Sequence, residues 1–350
     1  MTVRGSLSDL RWSLPWATYR LSGRRVQPSQ ELYRVGIPRQ RWDRARLPGM
    51  TSPSERAYFK WHSQEVFTGA GAIVDLGSWF GSTTATLAMG LERNPRPAAR
   101  SASIDAFDRF VWEEWMDDYA AAARFGPYRE GDSFVREFER TVGPWAKRVR
   151  VHAGDLCDER WPEDPIEVLL VDAMKSWEVT DHIASEFFRP LAEGAGHVIH
   201  QDFGNCFTPW IHLLTYRLRR HVVTVNDIPD SETVVFKLVH SLSGVTDELD
   251  VSRDAFDDSE IEEAFAHSLR ITRSDKHSGI NAARVMLLVY DGDVEQAEHR
   301  LGVFVRAGKL STYHAEVLRG ALKRAAGDRE PGSPPPRLAA DAPSRASQRS

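Results

Sequence analysis

The sequence predicts an α/β protein built on a doubly wound, mostly parallel, seven-stranded sheet. Between residues 53 and 240, short apolar runs typical of buried strands alternate with segments of helical pattern. Such alternation indicates parallel strands joined by helices on both faces of a sheet. The last two runs lie close together, so we expect a hairpin that places an antiparallel strand at or within the edge region. Several runs also end in Asp or Gly, at the edge where open parallel sheets bind ligands.

The elements follow one another in a regular order. An amphipathic helix is predicted over PSERAYFKWHSQEVFTG, with Pro53 at its start and Gly69 at its end. The predicted strands cover 72–77, 101–107, 149–154, 166–173, 197–203, 222–227 and 233–239. Further helices are predicted over 81–91, 182–192 and 209–221.

This pattern divides the chain of 350 residues into four predicted parts. They are an Arg-rich extension (1–52), the α/β domain (53–240), a helical appendage (241–326) and a disordered Pro-rich tail (327–350). Segment 107–147 is longer than a simple strand–helix–strand unit needs and is rich in aromatic residues. We expect it to form either a lid over the site or a packing or subunit-interface element, which leaves a homo-oligomer open.

Charge and composition argue against some classes of function, such as nucleic-acid binding and membrane spanning. The net charge is −5, yet residues 1–50 carry ten Arg against three acids. That arm is a solvated extension or a contact for phosphates or an acidic partner. The acidic remainder argues against nucleic-acid binding. No apolar run is long enough to span a membrane, and Cys157 and Cys206 have no metal or disulfide spacing, so a cytoplasmic location is expected.

The most informative motif is the turn that follows the first predicted strand. It reads Asp75-Leu-Gly77-Ser78-Trp-Phe-Gly81-Ser82-Thr83 and leads into a helix. Glycines at such a turn let the backbone approach a ligand, and the helix offers free N–H groups. The spacing fits neither G-x-G-x-x-G nor a P-loop. Asp75 suits a ligand that carries an ammonium group.

Three further acids follow later strands. Asp105, at the predicted end of the second strand, suits both hydroxyls of a ribose. Asp155 follows the third strand and suits an adenine amino group. Asp172 follows the fourth strand, near the expected reactive end of the ligand. Any one of these acids is a common helix cap, but the ordered set indicates a single binding edge.

These motifs together resemble the class I S-adenosylmethionine-dependent methyltransferases. Within them, residues 55–240 are similar to O-methyltransferases related to macrocin O-methyltransferase and the methyltransferase domain 24 proteins, through VDLGSWFGSTTATLA, SIDAFD, HAGD and IEVLLVDAMKSW with HVIHQDF. The resemblance implies a Rossmann-like methyltransferase fold and O-methylation of a small molecule or sugar. The implied cofactor contacts are Asp75, Gly77, Ser78, Gly81, Ser82, Asp105, Ala106, Asp155 and Asp172.

Asp172 and Lys175 form a D-x-x-K stretch that resembles the catechol-type O-methyltransferases. There the Asp binds a divalent metal and the Lys acts as base, and Asp202 matches the second metal carboxylate. Mg²⁺ is the metal that such oxygen ligands suit. Phe203 and Met174 stand where metal-dependent members carry further polar ligands, so metal dependence stays open.

His200 is the alternative base, because a neutral His titrates near working pH. It is equally compatible with a half-buried structural role. Two other functions remain as alternatives to methyl transfer. One is a non-catalytic methyltransferase-like binding or scaffold protein, favoured by the altered metal pattern. The other, an NAD(P)-dependent oxidoreductase, lacks the expected glycine spacing.

Overall fold

A computed structural model describes residues 47–327 except 124 and 163. The Arg-rich extension up to residue 46 and the tail from 328 onward therefore lie outside the described residues. The predicted helix at residue 53 begins where expected. Ser52 accepts the backbone N–H of Glu55 at 3.2 Å, and the Glu55 carboxylate accepts the backbone N–H of Ser52 at 2.7 Å. This capping box satisfies two N–H groups that the first helical turn leaves free.

Seven strands form one sheet in the described chain. They are β1 (Ala72–Leu76), β2 (Ile104–Asp108), β3 (Val149–Ala153), β4 (Ile166–Val171), β5 (His197–His200), β6 (Val222–Asp227) and β7 (Val234–Leu238). The helices are α1 (Pro53–Trp61), α2 (Ser82–Leu91), α3 (Pro97–Ser101), α4 (Asp117–Ala123), α5 (Val135–Val142), α6 (Trp177–Ile183), α7 (Trp210–Arg217), α8 (Asp258–Ile271), α9 (His277–Tyr290), α10 (Val294–Arg306) and α11 (Thr312–Gly327).

The strand order is β3-β2-β1-β4-β5-β7-β6, and only β7 runs against its neighbours. This confirms the predicted doubly wound, mostly parallel sheet and places the antiparallel strand inside the edge, between β5 and β6. The chain moves from β1 to β3 in one direction and from β4 to β5 in the other. The resulting switch point lies between β1 and β4, where open α/β sheets bind ligands.

Apolar side chains cover both faces of this sheet. On one face, α1 and α2 pack through Tyr58, Phe59 and Leu87. On the other face, α6, α7 and α8 pack through residues that include Ile183 and Trp210. Because helices shield both faces, the open edge at the carboxyl ends of the strands is the natural place for a binding site.

Helices α8 to α11 form the region predicted as the helical appendage. Its first two helices join the main core through buried side chains such as Phe265 and Ile280. The last two pack on α9 in a separate cluster that contains Leu301 and Leu318. Across residues 47–327, no helix has the length and apolar character needed to cross a membrane.

Candidate active site at the carboxyl edge of the sheet

The turn between β1 and α2 lies at the switch point of the sheet. Gly77 has a φ of +85°, and a Cβ there would lie 2.7 Å from the backbone oxygen of Asp172. The backbone N–H groups of Gly77 and Ser78 donate to the carbonyl of Phe107 at 2.9 and 3.2 Å. Glycine is therefore required where this turn passes between the ends of β2 and β4.

The second glycine of the motif begins helix α2. Gly81 has a φ of +84°, and a Cβ there would lie 3.1 Å from both Phe138 and Val142 of α5. The hydroxyl of the next residue, Ser82, is buried and has no hydrogen-bond partner among the described residues. The helix start thus offers an unsatisfied polar group beside the turn.

Asp75 is fully buried beneath this turn. One carboxylate oxygen accepts the hydroxyls of Thr83 at 2.9 Å and Thr84 at 2.5 Å. The other oxygen has no hydrogen-bond partner within the described chain. Burial raises the pKa of Asp75 to about 6, although the two threonine hydroxyls oppose the shift. One oxygen therefore ties β1 to α2, and the other remains for a donor.

Strand β2 ends at Asp108, so the prediction that Asp105 ends it was wrong. Asp108 accepts the backbone N–H of Trp79 at 2.8 Å and that of Phe110 at 2.7 Å. Burial raises the pKa of Asp108, against these two hydrogen bonds. Asp108 is thus the acid that reaches the glycine turn, while Asp105 lies about 10 Å further down the strand.

Asp105 is held by two side chains from the neighbouring strand. Its carboxylate accepts Arg150 through Nε at 2.7 Å and Nη2 at 2.6 Å, and it contacts His152 Nε2 at 2.9 Å. The next residue, Ala106, is fully buried against the aromatic side chains of segment 107–147. Neither predicted cofactor contact reaches the open edge, because both residues lie within the paired part of β2.

Asp155 is exposed after β3 and acts as a local cap. Its side chain accepts the backbone N–H of Cys157 at 3.0 Å, at the start of the 3₁₀ turn Leu156–Asp158. Strand-end Asp residues often serve in this way. The predicted adenine contact remains a prediction.

The ends of β4 and β5 bring together three charged side chains, here called the rim cluster: Asp172, Lys175 and Asp202. The Lys175 ammonium donates to Asp172 at 2.9 Å and also to Asp202. The side-chain exposures of Asp172, Lys175 and Asp202 are 32%, 42% and 14%. The rim cluster is therefore open to a ligand, and it holds two carboxylates against one ammonium.

The charges of the rim cluster shift one another. Desolvation raises the pKa of Asp172, with Lys175 opposing and Asp202 adding to the shift. Desolvation also acts to raise the pKa of Asp202, but the Lys175 ammonium outweighs it and lowers that pKa. Desolvation acts to lower the pKa of Lys175, and the two carboxylates more than reverse this. The depressed pKa expected of a lysine base is therefore absent, and Lys175 holds its proton.

His200 lies in the core, which argues against its predicted role as a base and favours the structural role. It is 2% exposed, and its ring lies among Phe188, Phe203 and Phe236 at centroid distances of 6.1 to 6.3 Å. Burial lowers its pKa to about 4. β5 is an inner strand covered by helices, so this face of the strand is closed to a substrate.

Sequence reasoning missed Trp79, which lies inside the glycine turn. Its φ is +43°, in the left-handed region that non-glycine residues seldom adopt. Its ring stacks on Phe80 at 4.1 Å and on Trp115 at 5.6 Å, and its indole N–H is buried without a partner in the described chain. The sequence feature that could have identified Trp79 is its position between Gly77 and Gly81. Segment 107–147 thus packs against the turn.

A divalent metal, implied by the catechol-type resemblance, does not fit the donor set of the rim cluster. Asp172 and Asp202 both face the Lys175 ammonium. The side-chain oxygen of Asn205 accepts the backbone N–H of Phe207 at 3.0 Å. No group of three or more His, Cys, Asp or Glu residues suited to a metal occurs in the described part of the chain. Mg²⁺ can bind through one or two carboxylates and several waters, but here the Lys175 ammonium pairs with both carboxylates.

Comparisons with known proteins give structural relatives only. No protein-family model and no curated protein matches the chain. The O-methyltransferase NovP is a similar solved structure, with 17% identity, a TM-score of 0.41, and coverage of 67% of this chain and 98% of that chain. The TDP-rhamnose 3′-O-methyltransferase CalS11 of calicheamicin biosynthesis has 14% identity and a TM-score of 0.37, covering 68% and 96%.

A third similar structure is the O-methyltransferase from Bacillus cereus in complex with SAH. It has 15% identity and a TM-score of 0.33, and the match covers 67% of this chain and 100% of that chain. The function proposed below rests on the topology and side chains of this chain itself.

Proposed function

We propose that this protein is an S-adenosylmethionine-dependent methyltransferase that methylates a hydroxyl group on a small molecule or sugar. One observation supports this most strongly. A glycine turn follows the central strand β1 and contacts Asp108 and Asp172 at the carboxyl ends of β2 and β4, while Asp202 follows the next strand, β5, at the same edge. Strand β7, inserted antiparallel between β5 and β6, agrees with the antiparallel strand that the terminal hairpin predicted.

The groups around the turn fit the methionine part of the cofactor. That part carries an ammonium and a carboxylate. The unpartnered oxygen of Asp75 suits an ammonium, and the Ser82 hydroxyl with the first N–H groups of α2 suits a carboxylate. Two buried polar groups that are otherwise unsatisfied would each gain a partner. We therefore place the methionine part against residues 75–82.

For the ribose we favour Asp108 over Asp105. Asp108 lies at the strand end and already touches the turn through the backbone N–H of Trp79. Each of its oxygens accepts one backbone N–H, which leaves each a lone pair for a hydroxyl donor. Asp105 would first have to release Arg150.

The rim cluster supplies the acid–base chemistry. When bound, S-adenosylmethionine would supply its sulfonium methyl group for in-line attack by an acceptor oxygen, with the thioether S-adenosylhomocysteine as the leaving group. Asp172 accepts the proton of that hydroxyl, because it directly adjoins the glycine turn at Gly77 and its side chain is 32% exposed to a ligand. The Lys175 ammonium donates a hydrogen bond to the acceptor oxygen and holds it near Asp172. The aromatic side chains of segment 107–147 limit water at the turn.

Hydrogen–deuterium exchange on the full chain tests this placement. S-adenosylhomocysteine should slow exchange of the backbone amides at 77–82, 108–110 and 173–175. The amides of α10 and α11 serve as the internal reference and should not change. Protection confined to α8–α11, or equal protection by NADH, would contradict the proposal.

A further inference from the structure

Lys175 occupies the position between two carboxylates that the catechol-type resemblance assigns to a metal ion. Its ammonium donates to Asp172 at 2.9 Å and also to Asp202. Asp172 follows β4 and Asp202 follows β5, and these strands are hydrogen-bonded neighbours. The two acids, 30 positions apart in sequence, are thus bridged by a cation that the chain itself carries.

We propose that the Lys175 ammonium takes the place of a divalent cation at the rim cluster, so that the cluster works without a bound metal. A cation seated between Asp172 and Asp202 would lie within a few ångströms of the ammonium. Two like charges that close repel strongly in a partly desolvated site. A metal would therefore have to displace Lys175 from both carboxylates before it could bind.

The neighbouring side chains support this inference independently of charge. Met174 and Phe203, which follow the acids closely in sequence, are 1% and 0% exposed. They contribute to the apolar core instead of offering oxygen ligands. Asn205 turns its NH₂ group toward Asp202, at 3.1 Å. The NH₂ group is a hydrogen-bond donor, so it stabilises the Asp202 carboxylate. It has no free lone pair with which to ligate a metal.

The Lys175 ammonium also has one N–H group that neither Asp172 nor Asp202 accepts. Of its three N–H groups, two are used by Asp172 and Asp202, and its side chain remains 42% exposed. The third N–H is available to an oxygen of the acceptor. This last step rests on the proposed methyl transfer, whereas the exclusion of a metal from the cluster does not.

The test is Mn²⁺ binding to the full chain, measured by electron paramagnetic resonance. We expect no saturable binding to the wild type or to the control Lys147→Met, whose lysine is exposed and distant from the rim cluster in sequence. Lys175→Met should bind Mn²⁺ at least ~10-fold more tightly than the wild type, because it frees two carboxylates. The double variant Lys175→Met/Asp202→Asn should lose that gain. Lys175→Arg retains the charge and should resemble the wild type.

Saturable Mn²⁺ binding to the wild type that Asp202→Asn abolishes would overturn the inference. So would a folded Lys175→Met chain that binds Mn²⁺ no better than the wild type. Folding is checked by thermal unfolding of each variant. S-adenosylhomocysteine binding, measured on the same samples without Mn²⁺, reports separately on the proposed function. Its absence from the wild type would count against methyl transfer alone.

Discussion

The sheet carries two clusters in which carboxylates pair with basic side chains. The clusters differ in how completely those carboxylates are satisfied. The inner cluster joins Asp105 to Arg150 and His152 across β2 and β3. The rim cluster joins Asp172 and Asp202 to Lys175 at the ends of β4 and β5. The inner cluster has one carboxylate for an Arg and a His, so its acid is fully satisfied. The rim cluster has two carboxylates for one ammonium, and it keeps an excess of acid.

Position along the strand separates the two clusters further. Asp105 lies in the paired part of β2, with a side chain only 4% exposed. The rim cluster lies beyond Val171 and His200, the last paired residues of β4 and β5. Its side chains are therefore at the open edge of the sheet. Acids of the same type therefore become a structural anchor in one place and a candidate site in the other.

The largest expected effect is on turnover at the rim cluster. Asp172→Asn should lower kcat by ~10²–10⁴-fold, because it removes the proposed base. The dissociation constant of S-adenosylhomocysteine should change by less than about 3-fold, because this variant keeps the side-chain volume. Single-turnover kinetics and calorimetry measure the two quantities. The control is Asp247→Asn, an acid whose side chain is 61% exposed and which should retain normal turnover, and equal loss in both variants would contradict the assignment.

The next effect compares the two acids of β2 in cofactor binding. Asp108→Asn should weaken S-adenosylhomocysteine binding by ~10-fold or more, since hydrogen bonds to charged groups contribute about 1.5–3 kcal/mol. Asp105→Asn should leave binding within about 3-fold of the wild type, because its carboxylate faces Arg150. Calorimetric titration of both variants with S-adenosylhomocysteine measures the two dissociation constants. The reverse order would restore Asp105 as the ribose contact.

A third effect concerns a buried titratable group that belongs to neither cluster. His212 is fully buried between Phe203 and Phe265, and burial lowers its pKa to about 3. Its folded-state pKa lies below the unfolded value near 6.5, so its stabilising effect is complete above that pH. The contribution of His212 to the free energy of unfolding should fall by about 2 kcal/mol between pH 7 and pH 5, as the unfolded state takes up the proton, and the buried His62, His197 and His200 should add falls of the same sign. Urea unfolding of the wild type and His212→Gln should show a smaller fall in the variant.

The smallest effect is on the stability of the inner cluster. Asp105→Ala should lower the free energy of unfolding by about 1–2 kcal/mol, because it leaves Arg150 and His152 without their acceptor. Arg150→Ala should cost less than about 1 kcal/mol, since the Arg150 side chain is 60% exposed. Both variants should keep wild-type turnover in steady-state assays. A large loss of turnover in either would give the inner cluster a functional role.

The contrast between the clusters also explains how far the sequence could predict the structure. The strand–helix alternation and the glycine turn predicted the sheet and its switch point, because burial and turn chemistry are local properties. The end of β2 was misplaced, because SIDAFD contains two acids and only pairing with β1 and β3 decides how far the strand extends. The pairing of Arg150 with Asp105 depends on strand register, which a single sequence does not specify.

The sequence predicted which acids lie at the site but not how their side chains are paired. Asp172 and Asp202 were expected together because parallel strands share one edge. That Lys175 bridges them depends on side-chain directions after β4. His200 was predicted at the edge because HVIHQDF reads as one strand. The strand ends at His200, and its ring lies in the helix-covered core.

The most direct test is calorimetric titration of the full chain with S-adenosylhomocysteine, with and without Mg²⁺, and with NADH as the control ligand. The account predicts micromolar binding of S-adenosylhomocysteine that Mg²⁺ does not change, and no binding of NADH. Absence of S-adenosylhomocysteine binding under both conditions would contradict the proposed cofactor site. Binding that requires Mg²⁺ would contradict the role given to Lys175.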